Sequence, residues 1–168
     1  NQFQNFADQR NFAISKSSGG WIMAIDCDEV IEEFLLKNMK SIIELNPNVG
    51  AFCLPRINTV IGLTEDDIKA WGWVVSKIDG FGDALINYPD YQCRLYKRSC
   101  YWSGHVHETV TNCDKVAYLP TTKGYHIIHS KDIERQRKQN NSYHKSKQNQ
   151  PALLKFPAGL VMPFNVCP

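Results

Sequence analysis

Trp21-Ile22-Met23-Ala24-Ile25-Asp26-Cys27-Asp28-Glu29 is the stretch that decides the fold. Its five consecutive apolar residues are strand-sized and suit a strand covered on both faces. They end abruptly in acids. Ahead of them, Phe3, Phe6, Ala7, Ala13 and Ile14 recur at three- and four-residue steps, which predicts a helix stopped by Gly19-Gly20. Behind them, Ile31, Phe34, Leu35, Met39 and Ile42 predict a second helix over about 30–44, broken at Asn46-Pro47-Asn48. Residues 51–61 read as a strand with an edge or a bulge at Pro55. Helix, buried strand, helix, strand is the order of an α/β domain, with helices flanking a mostly parallel sheet. In such sheets ligands bind at the carboxyl ends of the strands, which assigns Asp26, Asp28 and Glu29 to the crevice by topology alone.

Farther out the signals weaken. Residues 62–83, with Gly62, Gly72, Gly80, Gly82 and the acids Glu65-Asp66-Asp67, read as a loop over one face of the sheet. Short strands follow at 91–97, 101–110, 116–119 and 125–129. Residues 130–148 turn polar and helical, and 131–147 hold six Lys/Arg against two acids. Such a run reads first as a solvated helix face and second as a patch for anionic lipid. The Pro-punctuated end, 151–168, reads as an extended strap beside a domain spanning 1–150.

The whole chain has 168 residues, enough for one domain with a sizeable core. Its net charge of +2 is too small to make nucleic acid the main partner. No apolar run approaches the roughly 20 residues of a membrane-spanning helix. Six cysteines without a C-x-x-C pair read as reduced, buried thiols in a cytoplasmic compartment. The chain starts at Asn1 rather than Met, so it is expected to be a trimmed piece.

The chemistry starts from Asp26 and Asp28. Asp26 follows five apolar residues, and a partly desolvated carboxylate needs a cation or donors. A D-x-D pair offers hard oxygens suited to Mg²⁺ or Mn²⁺. On a continuing strand both carboxylates would face one ion; if the chain turns, one reaches the ion and the other a ribose or water.

Three blocks carry a family resemblance. Gln9-Arg10-Asn11-Phe12-Ala13, Ser18-Gly19-Gly20-Trp21-Ile22 and Ile25-Asp26-Cys27-Asp28-Glu29 resemble the "RN-x-A … GDW-x-x-x-LDADE" stretch of family 2 glycosyltransferases of the GT-A, Rossmann-like fold. Tyr88-Pro89-Asp90-Tyr91-Gln92 with Arg94-Leu95-Tyr96, then Trp102-x-Gly104-x-Val106-His107-Glu108, is similar to the "P-x-x-Q-x-RLF … W-x-G-x-VHE" segment of the branch resembling lipopolysaccharide-core β-glucosyltransferases. Ile127-Ile128-His129 resembles the "I-x-H" before that branch's terminal helix. Cys27 stands where the family has a small Ala, and Ser130 where an aromatic is usual. The family's opening β-α-β portion, which grips the nucleotide base, has no counterpart in this stretch, so the domain is expected to be N-terminally incomplete.

The resemblance implies an inverting, metal-dependent transfer of a hexose from a nucleotide-sugar, read here as a UDP-sugar, to a saccharide or lipid-linked acceptor. Asp28 would ligate Mn²⁺ or Mg²⁺ on the diphosphate, with Asp26 at the ribose or the same ion, Arg10 at the donor and His129 as a further ligand. Glu108 is the first choice for general base, Asp90 the second, and Asp66 or Asp67 a distant third. His107 would orient Glu108 or contact phosphate. Trp71, Trp73, Trp102 and Tyr101 read either as packing or as faces for an acceptor sugar. The location implied is cytoplasmic, at the inner face of a membrane if helix 131–147 meets lipid. The competing reading is a non-catalytic carbohydrate-binding or scaffolding remnant. A cupin-like metal hydrolase on His105, His107 and Glu108 conflicts with the two early helices.

Overall fold

Asn5 opens the first helix, its Oδ1 accepting from Asp8 N at 2.8 Å, a standard satisfaction of a free helix-end donor. The computed structural model describes residues 4–78, 81, 84–104 and 108–147. The elements run α1 (Phe6–Lys16), β1 (Trp21–Met23), β2 (Glu29–Ile31), α2 (Glu33–Leu45), β3 (Ala51–Ile61), α3 (Glu65–Trp71), β4 (Val75–Lys77), β5 (Ala84–Ile86), β6 (Asp90–Lys97), β7 (Tyr101–Ser103), β8 (Thr109–Thr111), β9 (Val116–Tyr118), β10 (Ile127–Asp132) and α4 (Ile133–Lys147). The expected strap at 151–168 and Cys167 lie outside the described residues.

The α/β class holds, but the sheet is mixed rather than mostly parallel. Its order is β1-β6-β3-β10-β2, with β9 also on β3. Among the described residues of this sheet, only the pairs β3–β10 and β3–β9 are parallel; β1–β6, β3–β6 and β2–β10 are antiparallel. The reason is local. Asp26 O accepts from Glu29 N at 3.0 Å, so the chain turns back after β1 and spends residues 29–31 on a short antiparallel strand before α2 begins. Glu32 caps α2 without a side-chain bond to it, because its Oε2 instead accepts from Gly124 N and His126 N at 2.7 and 2.9 Å.

β3 is the spine. Its first five residues are buried, Pro55 among them, and it is a central strand, not an edge. Cys53 O accepts from Leu119 N at 2.9 Å. Two residues on, the Pro55 nitrogen faces the same side, where β9 has ended at Cys53 and β10 begins opposite Arg56. The missing N–H therefore breaks no ladder bond. The bulge lies elsewhere, at the Phe52/Cys53 step, where Arg94 is the extra residue of β6. α2 covers one face of the sheet, with Leu35 and Ile42 packed on Phe52, Leu54, Leu95 and Ile127. Ala7 of α1 packs with Ala51, Tyr96 and Trp102 in a second cluster.

Residues 62–83 depart from the expected loop. Thr64 and Asp67 form a capping box that starts α3, and Gly72 ends it at φ 62°. The cysteines also depart from expectation. Cys100 and Cys113 are disulfide-bonded, whereas Cys27, Cys53 and Cys93 are free. Among the described residues, no helix is long and apolar enough to cross a membrane.

Candidate functional site

The three sequence blocks meet in space. Arg94 Nη2 of β6 donates to Asp26 Oδ2 at 2.5 Å and to Glu29 Oε1 at 2.6 Å. Arg10 of α1 reaches Glu108 Oε1 with its Nε at 3.3 Å and Asp26 Oδ1 with its Nη2 at 3.6 Å. Its guanidinium lies over the Trp102 ring, 4.6 Å from the centroid. Asn11 locks that arrangement, donating to Trp102 O and accepting from Trp102 N, both at 2.8 Å. His129 Nε2 faces Asp28 Oδ2 at 3.5 Å.

Asp26 and Asp28 answer to different partners. The turn after β1 sends Asp26 to Arg94 and Arg10, and Asp28 to His129, Lys131 and Arg135. Among the described residues, no three His, Cys, Asp or Glu side chains converge on one point. The expected trio Asp26, Asp28 and His129 is therefore not brought together. What the structure brings together is the pair Asp28 and His129.

The orientation of that pair follows from a relay of hydrogen bonds. Asn58 Nδ2 donates to Asp90 Oδ2 at 2.8 Å, which fixes its amide end for end. Asn58 Oδ1 then faces His129 Nδ1 at 2.8 Å and can only accept, so Nδ1 carries the proton. The lone pair of Nε2 is left facing the Asp28 carboxylate. Burial, helped by Lys131 and Arg56, pushes His129 below its ordinary value against the pull of Asp28 and Glu29, so the ring is neutral at pH 7. Burial works to raise Asp28, but His129, which is protonated in the acid range where Asp28 titrates, the Asp28 backbone N–H, Lys131 and Arg135 outweigh it and hold the carboxyl below the usual range. A lone pair and a carboxylate oxygen facing each other repel, and a cation between them would make both ligands.

Two ligands at right angles, each about 2.1 Å from a small divalent ion, stand about 3 Å apart, which a slight side-chain shift from 3.5 Å supplies. Mg²⁺ and Mn²⁺ sites commonly use one or two protein ligands and complete the shell with phosphate oxygens and water. The pair fits such an ion.

Asp90 anchors the relay. Its Oδ2 accepts from Arg56 Nε (3.0 Å) and Nη2 (2.6 Å) as well as Asn58, and its Oδ1 from Gln92 Nε2 at 2.8 Å. Burial raises its pKa, yet Arg56, Asn58 and Gln92 hold it below the usual range. Glu108 accepts at 3.3 Å from Arg10. Asp67, a distant candidate from sequence, is taken up by the Thr64 cap and by Arg137 of α4. His105 and His107 lie outside the described residues.

Sequence reading missed Arg56, Asn58, Lys131 and Arg135. The alternate polar residues 56 and 58 inside an apolar strand were a readable signal of a site under the sheet end. The basic run was read as a solvated face, yet Lys131 is nearly buried at 8% side-chain exposure and Arg135 reaches Asp28 at 3.0 Å. Arg10, Arg56, Arg94, Lys131 and Arg135 together match Asp26, Asp28, Glu29, Asp90 and Glu108 charge for charge. A divalent cation added to this neutral set leaves a doubly positive site, which the two negative charges of a sugar diphosphate would restore to neutrality. Comparison of the chain with protein-family models and with curated proteins gave no match.

Proposed function

We propose that the domain is a divalent-metal-dependent glycosyltransferase of the GT-A type, moving a hexose from a UDP-sugar to a saccharide or other hydroxyl acceptor with inversion. The observation that carries the reading is the meeting of Asp28 with His129 and of Asp26 with Arg10 and Glu108 at the end of β1. Asp28 and His129 would hold Mn²⁺ or Mg²⁺. The bound ion supplies positive charge beside the diphosphate as the sugar–phosphate bond breaks. Asn58 holds the His129 tautomer that keeps Nε2 available, and Asp90 with Arg56 holds Asn58. Arg135 stands ready to meet phosphate oxygens once the ion draws on Asp28.

Glu108 is the general base that takes the acceptor hydroxyl proton. A base must reach the acceptor hydroxyl with a free oxygen. Asp90 accepts four hydrogen bonds and is held low, whereas Glu108 meets Arg10 at 3.3 Å, so Glu108 is the freer carboxylate. Arg10 links Glu108, held by its Nε, to Asp26, held by its Nη2.

The competing reading is a carbohydrate-binding remnant without turnover. Calorimetric titration with UDP, in Mn²⁺ and then in chelator, separates the two. A transferase binds UDP in a metal-dependent way. Metal-independent binding, or none, favours the remnant.

A further inference from the structure

A cavity of about 190 Å³ opens beside His129, on the side of β3 where α3, β4 and β5 gather. Trp73, Val60 and Ile86 give it an apolar patch; Asn87, Gln136 and Thr59 add amides and a hydroxyl, beside Arg56, Asp90, Lys131 and His129. Trp73 is held in place from behind. Its N–H donates to Ile68 O at 3.1 Å across the left-handed Gly72, and its ring packs on Trp71 with centroids 4.6 Å apart. Asn87 is fixed at the end of β5, where its N–H donates to Val74 O at 2.7 Å and its Oδ1 accepts from Val74 N at 3.0 Å. Small ligand sites place polar groups around an apolar patch of this kind.

We infer that this cavity is a saccharide subsite, in which one pyranose ring lays its C–H face on the Trp73 indole and bonds its hydroxyls to Asn87, Gln136 and Thr59. A pyranose has the matching chemistry, apolar on its faces and hydroxylated around its rim. A cavity of about 150 Å³ accepts a six-membered carbon ring, so this one takes a single sugar. Both cations of the lining have partners, Arg56 in Asp90 and Glu29 and Lys131 in Gln139 at 2.7 Å, which disfavours an anionic ligand. Identifying the bound saccharide as acceptor rests on the transferase reading. Glu108 is not in the cavity wall, so the ring is held for recognition while another part of the acceptor presents the hydroxyl that reacts.

The test follows the indole N–H of Trp73 in two-dimensional NMR of the intact protein during titration with methyl β-D-glucopyranoside, methyl β-D-galactopyranoside, methyl α-D-mannopyranoside and lactose, with sorbitol and uridine as controls. The expected result is a saturable shift of that signal with at least one pyranoside and none with sorbitol or uridine. Calorimetric affinity should fall about tenfold or more in Trp73→Ala and hold within about threefold in Trp73→Phe. Gln136→Ala, an unstrained helix substitution, should weaken binding without loss of fold. No shift with any pyranoside, a shift with uridine instead, or binding undiminished in both Trp73→Ala and Gln136→Ala overturns the subsite. UDP affinity in Mn²⁺, measured on the same variants, should be unchanged. Pyranoside binding without metal-dependent UDP binding would leave the subsite standing and remove the transferase reading.

Discussion

Replacing Asn58 with Leu tests the relay that shapes the metal pair. The substitution nearly conserves volume but removes the acceptor at 2.8 Å that fixes His129 Nδ1–H, together with the donor at 2.8 Å to Asp90. Asp90 keeps Arg56 and Gln92, so the loss of fold stability is expected to be only about 1–2 kcal/mol. The ring, however, is free to place its proton on Nε2 and donate it to Asp28, which occupies the nitrogen an ion needs. Removing the partner that orients a ligating histidine typically weakens metal binding about 10- to 100-fold, equivalent to about 1.4–2.7 kcal/mol. Free Mn²⁺ measured by electron paramagnetic resonance gives the affinity, and ¹⁵N shifts of His129 give the tautomer. The wild type should show protonated Nδ1 and the variant a shift towards Nε2–H. Wild-type His129 protonated at Nε2, or Mn²⁺ affinity unchanged in the variant, would refute the relay.

Four further outcomes follow from the same geometry. Asp28→Ala should abolish sugar transfer while shifting stability by less than about 1 kcal/mol, because Arg135 can turn to solvent; thermal melts and product assays check both. Glu108→Gln should remove turnover yet leave UDP affinity in Mn²⁺ unchanged, and a loss of donor affinity would move that residue to the donor site. Arg94→Met should destabilise the fold by about 3–5 kcal/mol in urea titrations, because Glu29, with a fully buried side chain, keeps Arg56 as its one cation among the described residues and the Asp26 N–H as a neutral donor. His129 is held below its ordinary value near 6.5, so between those two values the unfolded chain takes up a proton that the native state refuses. Stability from this group is present above pH 6.5 and falls as pH drops towards the native value; His129→Gln should flatten that slope.

The start of the chain was the most readable part. An unbroken apolar run ending in acids marks β1 and its turn, and three- and four-residue spacing marks α1 and α2. Sheet direction was not readable, because it depends on the reversal at Asp26–Glu29, a four-residue turn with no Gly or Pro to announce it. α3 was missed although Thr64-Glu65-Asp66-Asp67 carries a capping-box spacing; the glycines around it and its seven residues hid a helix too short to show a period. Pro55 was read as the mark of an edge or a bulge because sequence does not reveal that two partner strands meet opposite it. In the site, the acids were found and their cations were not. Carboxylates after an apolar strand stand out, but Arg56 and Arg94 lie inside strands and gain meaning only through neighbours 27–68 positions away.

The account rests most heavily on Asp28 and His129 sharing one divalent ion beside a diphosphate. Paramagnetic broadening of backbone amides by substoichiometric Mn²⁺ in the presence of UDP tests it directly. The account predicts that signals of residues 27–29 and 128–130 vanish first, and that the effect is lost in His129→Ala. Broadening centred elsewhere, or none at all, would contradict it.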